Sequence, residues 1–156
     1  MDQIDKAFVP AVPVVRTGTA VTFPNRDRVA HQVYSFSSPK HFKLGLYRVH
    51  PYPPVRFDAP GLIVLGCNIH DRMVGYIFVN GAAHFGKSDA RGRWTGELPP
   101  GKYRASVWTP QSTREAVQFE QRIVVTDSPP QKLDLQLSRA SPTARSAEQD
   151  PRVRGY

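Results

Sequence analysis

Short apolar runs broken by Gly, Pro, Asn and Asp recur through most of the chain, and none has the i, i+3, i+4 spacing of an amphipathic helix. Phe8-Val9-Pro10 and Val12-Pro13-Val14-Val15 precede the turn Arg16-Thr17-Gly18, and Ala20-Val21-Thr22-Phe23 ends at Pro24-Asn25. Such β-branched runs predict strands. The prolines between Pro10 and Pro13 predict a sheet edge, where no ladder N–H is needed. From Val29 to Phe36 alternation puts His31, Val33 and Ser35 on one face of a strand. Residues 37–60, with five prolines, predict a loop-rich crossing with one short strand, Pro54 to Phe57. Leu62–Leu65 and Val74–Val79 predict two strands around a polar loop. Beyond Asn80-Gly81 the pattern predicts a hairpin over Phe85–Trp94 and strands over Lys102–Trp108, Phe119–Val125 and Gln131–Leu137. The fold class is all-β, in two parts: residues 1–80 and a small module over 81–138. Residues 139–156 have too little to bury and predict a disordered tail.

Composition narrows the function classes. The 156 residues carry a formal net charge of +8. That charge is spread as +4 over residues 1–80 (9 minus 5), +2 over 81–138 (8 minus 6) and +2 over 139–156 (4 minus 2). Without a basic run or interleaved aromatics, nucleic acid is not the expected partner; a mildly basic surface favours an acidic protein. No stretch is long and apolar enough to span a membrane. Met1-Asp2-Gln3-Ile4-Asp5 is not a signal peptide, and the start inside a strand predicts a trimmed N-terminus.

The polar loop carries the chemistry. Gly66-Cys67-Asn68-Ile69-His70-Asp71-Arg72-Met73 contains the single cysteine, so no disulfide can form within the chain. Taken singly, Cys67 and Met73 read as core residues and His31 as a hydrogen-bonded strand residue. Together, a thiolate, an imidazole and a thioether at C-x2-H-x2-M spacing suit copper better than calcium, magnesium or a closed zinc site. A blue-copper centre needs one more imidazole, and His31 is the candidate. His41 and His50 read as surface loop residues, and His84 lacks a partner.

The segment Val21-Thr22-Phe23-Pro24-Asn25-Arg26-Asp27 with Ala30-His31, and the loop Cys67-x2-His70-x2-Met73, resemble the cupredoxins, the plastocyanin and amicyanin group. The strings V-L-G-C-N-I-H-D-x-M-x-x-Y-I-x-V and H-x-V-Y-S-F-S are similar to bacterial plastocyanin-like proteins labelled methylamine-utilisation proteins. L-P-P-G-x-Y-x-x-x-V-W in the second half is similar to transthyretin- or carboxypeptidase-regulatory-type modules. The resemblance implies a Greek-key β-sandwich over 1–80 followed by a small β-sandwich. It implies one copper ion held by His31, Cys67 and His70, with Met73 axial. Gln32 stands where the family usually has Asn after the first histidine, so Gln32 and Asn68 are expected to support the ligands less rigidly. A periplasmic electron carrier, not an enzyme, is expected, with His70 as the electron port and redox partners docking through an acidic surface. The competing readings are copper storage or delivery without redox cycling, and a β-sandwich interaction module without metal.

Overall fold

The computed structural model describes residues 1–50, 52–109, 119–128 and 132–134. Among them every regular element is a strand. Met1–Ala83 forms one compact unit, and a second begins at His84.

In the first unit, β1 (Asp2–Ile4) and β2 (Ala7–Val9) form a hairpin across Asp5 and Lys6, both at positive φ. β3 (Val14–Arg16), β4 (Thr19–Val21), β5 (Val33–Ser37), β6 (Lys40–Lys43), β7 (Val55–Phe57), β8 (Gly61–Cys67) and β9 (Val74–Asn80) follow. The main sheet has the order β3-β9-β8-β5-β6, with β3 parallel to β9 and its other pairs antiparallel; β4 pairs with β7. The predicted proline-rich edge is present. The carbonyls of Ala11 and Pro13 accept hydrogen bonds from Tyr76 and Phe78 at 3.0 Å, a role that needs no proline N–H.

β8 is the central strand, and Ile63 to Cys67 are all buried, as the unbroken apolar run requires. β9 alternates, burying Gly75, Ile77 and Val79. Ile63, Leu65, Ile77 and Val79 pack with Phe8, Phe23, Val33 and Phe57 into one core that also includes Cys67 and Met73. The loop that carries His70 and Met73 therefore hangs from the most deeply buried strand of the unit.

Two boundaries depart from the sequence pattern. β5 starts at Val33, not Val29, because the Asn25 amide binds the carbonyl of Val29 and His31 pairs with Tyr47 instead. Ser37 pairs with Lys40 around Ser38-Pro39, adding β6 to the stretch read as loop. Lys40-His41-Phe42-Lys43 holds one apolar residue, too little alternation to announce a strand. His41 accordingly sits on an exposed strand position and not in a loop.

In the second unit, β10 (Gly101–Val107) pairs antiparallel with β11 (Phe119–Val125) along its whole length. The predicted turn before them is present: the Asp89 carboxylate accepts hydrogen bonds from the Arg91 and Arg93 backbone N–H groups, both at 2.9 Å. No strands flank that turn, so Phe85–Trp94 is a capped turn and not the expected hairpin. Lys132–Asp134 is not in a strand, and the rest of the Gln131–Leu137 strand lies outside the described residues, as does the tail at 139–156.

Candidate metal centre

Cys67 is the last residue of β8 and Val74 the first of β9, so His70 and Met73 lie on the connection between paired strands. The connection closes on itself: His70 N–H donates to Cys67 C=O at 3.3 Å and Met73 N–H to His70 C=O at 2.8 Å. This short, turn-rich path points the first and last side chains inward. Cys67 is 3% exposed and Met73 2%, whereas Asn68, Ile69, Asp71 and Arg72 face solvent and His70 is half-buried.

His31 comes from the neighbouring segment. Val33 pairs with Cys67 across β5 and β8, and His31, two residues earlier on the same face, is fully buried. The ligand atoms of His31, Cys67 and His70 all lie within 4.8 Å of one another. Cys67 Sγ is 3.6 Å from His31 Nδ1 and 3.5 Å from His70 Nδ1. Metal–sulfur and metal–nitrogen bonds of about 2.3 and about 2.0 Å at tetrahedral to trigonal angles separate such donors by about 3.5–3.7 Å. The two nitrogens and the sulfur thus fit a single ion, and a thiolate with two imidazoles is a donor set that suits copper. Of the four residues singled out as ligands, three converge in this way; Met73 is buried at the end of the same loop.

The surroundings set the protonation states. The His70 imidazole is held below its ordinary pKa, first by desolvation, then by the charges of His31 and Lys6, with Asp27 opposing. A neutral ring is the form that binds a metal. His31 turns its other nitrogen, Nε2, to Asp27 Oδ2 at 2.8 Å. Burial alone would raise the Asp27 pKa. Hydrogen bonds from Lys6 N–H, the His31 ring and Asp5 N–H outweigh it and hold the carboxyl below the usual range.

The sequence pattern marked Asn25 and Asp27 as a turn but gave Asp27 no separate role. Asn25 Oδ1 accepts the Asp27 N–H at 2.8 Å, which orients the carboxylate toward His31. Gln3 and Tyr47 were missed entirely. Gln3 Nε2 donates to Tyr47 Oη at 2.5 Å, and Tyr47 Oη donates to Phe23 C=O; the Tyr47 backbone in turn bridges to His31. A lone polar residue in a three-residue strand carries no signal for such a contact. His41 and His50 are exposed and are not in the three-residue group; in the second unit His84 is exposed and meets the Tyr103 ring edge-on with centroids 6.2 Å apart.

No family model matches the chain, and no curated protein matches it. Solved structures do. A copper-containing nitrite reductase from Thermus scotoductus is 26% identical, with a TM-score of 0.49, over 52% of this chain and 22% of that one. A reduced mutant amicyanin is 21% identical, with a TM-score of 0.47, over 51% of this chain and 78% of its own. A purple cupredoxin from Nitrosopumilus maritimus is 25% identical, with a TM-score of 0.42, over 46% and 80%. The chain thus spans about a fifth of the nitrite reductase's length.

Proposed function

We propose that this protein is a type 1 copper protein that carries single electrons between periplasmic redox partners. The observation that carries the reading is the convergence of His31 Nδ1, Cys67 Sγ and His70 Nδ1 at the end of the central strand, with His31 and Cys67 buried and His70 half-buried. Copper bound there supplies a one-electron couple. His31, Cys67 and His70 are the strong ligands in this proposal, and Met73 the weak axial one. Burial of His31, Cys67 and Met73 excludes water, and packing on β5, β8 and β9 limits rearrangement when charge changes. With Met73 as a fourth ligand beside His31, Cys67 and His70, the ion would have no position for a substrate, which favours an electron carrier over an enzyme. His70, half-buried, is the route to solvent, and exposed Ile69 and Arg72 beside it suit a partner with an acidic rim around an apolar centre.

Domain limits at 1–80, 81–138 and 139–156, a transthyretin-like role for the second part and membership of the methylamine-utilisation group belong to the same proposal. The test is to add Cu(II) to the purified chain and record its visible spectrum. One copper per chain with an intense thiolate-to-copper band, lost in Cys67→Ala, supports the reading. Binding without that band points to storage or delivery, and no binding points to an interaction module.

A further inference from the structure

Asp27 meets four groups at once. Its Oδ2 lies 2.8 Å from His31 Nε2 and accepts the Lys6 N–H at 2.9 Å, while its Oδ1 accepts the Asp5 N–H at 2.6 Å. The fourth is its own N–H, which donates to Asn25 Oδ1. The His31 side chain is fully buried and that of Asp27 is 11% exposed, so water competes little for this contact. Asp5 and Lys6 are the two turn residues of the β1–β2 hairpin, with φ of 52° and 58°, a geometry that aims consecutive N–H groups at one acceptor.

We propose that Asp27 is the positioning residue for His31: clamped by the Asp5-Lys6 turn, it fixes the imidazole with its proton on Nε2 and Nδ1 free toward Cys67. The inference rests on the copper reading for its redox consequence, but not for the tautomer. A carboxylate on the far nitrogen makes the ring a stronger donor and places negative charge behind it. That charge favours the cupric over the cuprous state. The N-terminal hairpin, far from the ligand loop in sequence, is in this way coupled to the metal pocket.

The experiment compares the full chain with Asp27→Asn, Asp27→Ala and Arg26→Ala. Arg26 pairs with Asp2 on the same hairpin through a side chain that is 64% exposed, so its loss tests mere loosening of the turn. In the metal-free parent, side-chain 1H–15N spectra should show His31 as the Nε2–H tautomer with a slowly exchanging proton. Exchange should accelerate at least tenfold in Asp27→Ala, and the Lys6 amide with it, while Arg26→Ala keeps the parent pattern. In the copper-loaded proteins, Asp27→Ala should bind Cu(II) about 10- to 100-fold more weakly. Each tenfold fall in the cupric-to-cuprous affinity ratio raises the potential by about 59 mV. Asp27→Asn, which keeps shape but not charge, should lie between. An unchanged His31 tautomer and exchange rate in Asp27→Ala overturns the proposal, as does an equal effect from Arg26→Ala. A parent that takes up no copper overturns the proposed function, and the tautomer measurement still decides the role of Asp27.

Discussion

The backbone N–H of Asn68 donates to the backbone carbonyl of Gln32 at 3.1 Å, joining the segment that carries His31 to the loop that carries Cys67 and His70. The bond continues the β5–β8 ladder one step past Val33 and Cys67. Because both partners are main-chain groups, the tie does not depend on which side chain follows His31. Gln32→Ala should therefore change stability by no more than about 0.5 kcal/mol and leave the copper spectrum in place. Chemical denaturation and a spectrum of the loaded variant check this. A lost charge-transfer band would show that the Gln32 side chain supports the ligands.

Gly66, immediately before Cys67, has no room for a side chain. A Cβ there would meet Cζ and Oη of Tyr34, its cross-strand partner, at 2.6 Å. Tyr34 is wedged in turn against Phe36, ring centroids 5.1 Å apart. Gly66→Ala should destabilise the protein by about 1–3 kcal/mol through overpacking. Combining it with Tyr34→Ala should cost less than the sum of the two changes, because the clash disappears with the ring. A strictly additive double mutant in urea titrations would place the strain elsewhere.

The grouping of Cys67 and His70 with His31 was legible because cysteine and histidine are rare residue types, two of them at fixed spacing between two apolar runs. The alternation around His31 was legible, and the buried positions His31, Val33, Ser35 and Ser37 follow it, although the strand itself begins only at Val33. What periodicity could not show was pairing between distant segments. Lys40–Lys43 is a strand because β5 offers it a ladder, and His31 bridges Tyr47 because the Asn25 amide holds the carbonyls of Val29 and Tyr47 together. Asp27 looked like one more turn residue. Its contact with His31 depends on a hairpin more than twenty residues earlier.

Tyr47 gives a pH dependence with a definite sign. It is 7% exposed, and its hydroxyl pKa is pushed up to about 12, first by burial. The Gln3 hydrogen bond opposes the rise, and the charges of Cys67 and Tyr52 add to it. An unfolded tyrosine loses its proton near pH ~10, so between that value and about 12 the folded state binds more protons and stability falls as pH rises. Tyr47→Phe removes this contribution. It should also cost about 0.5–1.5 kcal/mol at neutral pH, the value of a lost hydrogen bond, because Gln3 Nε2 still donates to the Phe23 and Pro24 carbonyls. The parent-minus-variant stability difference, followed by denaturant titration, should shrink above pH ~10. A difference independent of pH would mean that Tyr47 ionises as freely folded as unfolded.

Met73 is the fourth ligand of the proposed site. It is 2% exposed at the end of the loop and packs in the core, so a purely structural role competes with an axial one. The two roles separate in Met73→Leu, because Leu nearly conserves volume and costs less than about 1.5 kcal/mol in a core. An axial thioether makes a weak, long bond, so His31, Cys67 and His70 should still hold copper in the variant. The cupric state should lose more than the cuprous state, and the potential should rise; a shift of ~60 mV corresponds to about 1.4 kcal/mol for a one-electron couple. Asp71, exposed two residues earlier, is the oxygen donor that could swing in and mask the change. Cyclic voltammetry on Met73→Leu and on Met73→Leu/Asp71→Ala resolves this: a higher potential in the double variant than in the single one identifies Asp71 as a substitute ligand. If both variants keep the parent potential, Met73 serves the core alone, and the pocket is completed without it.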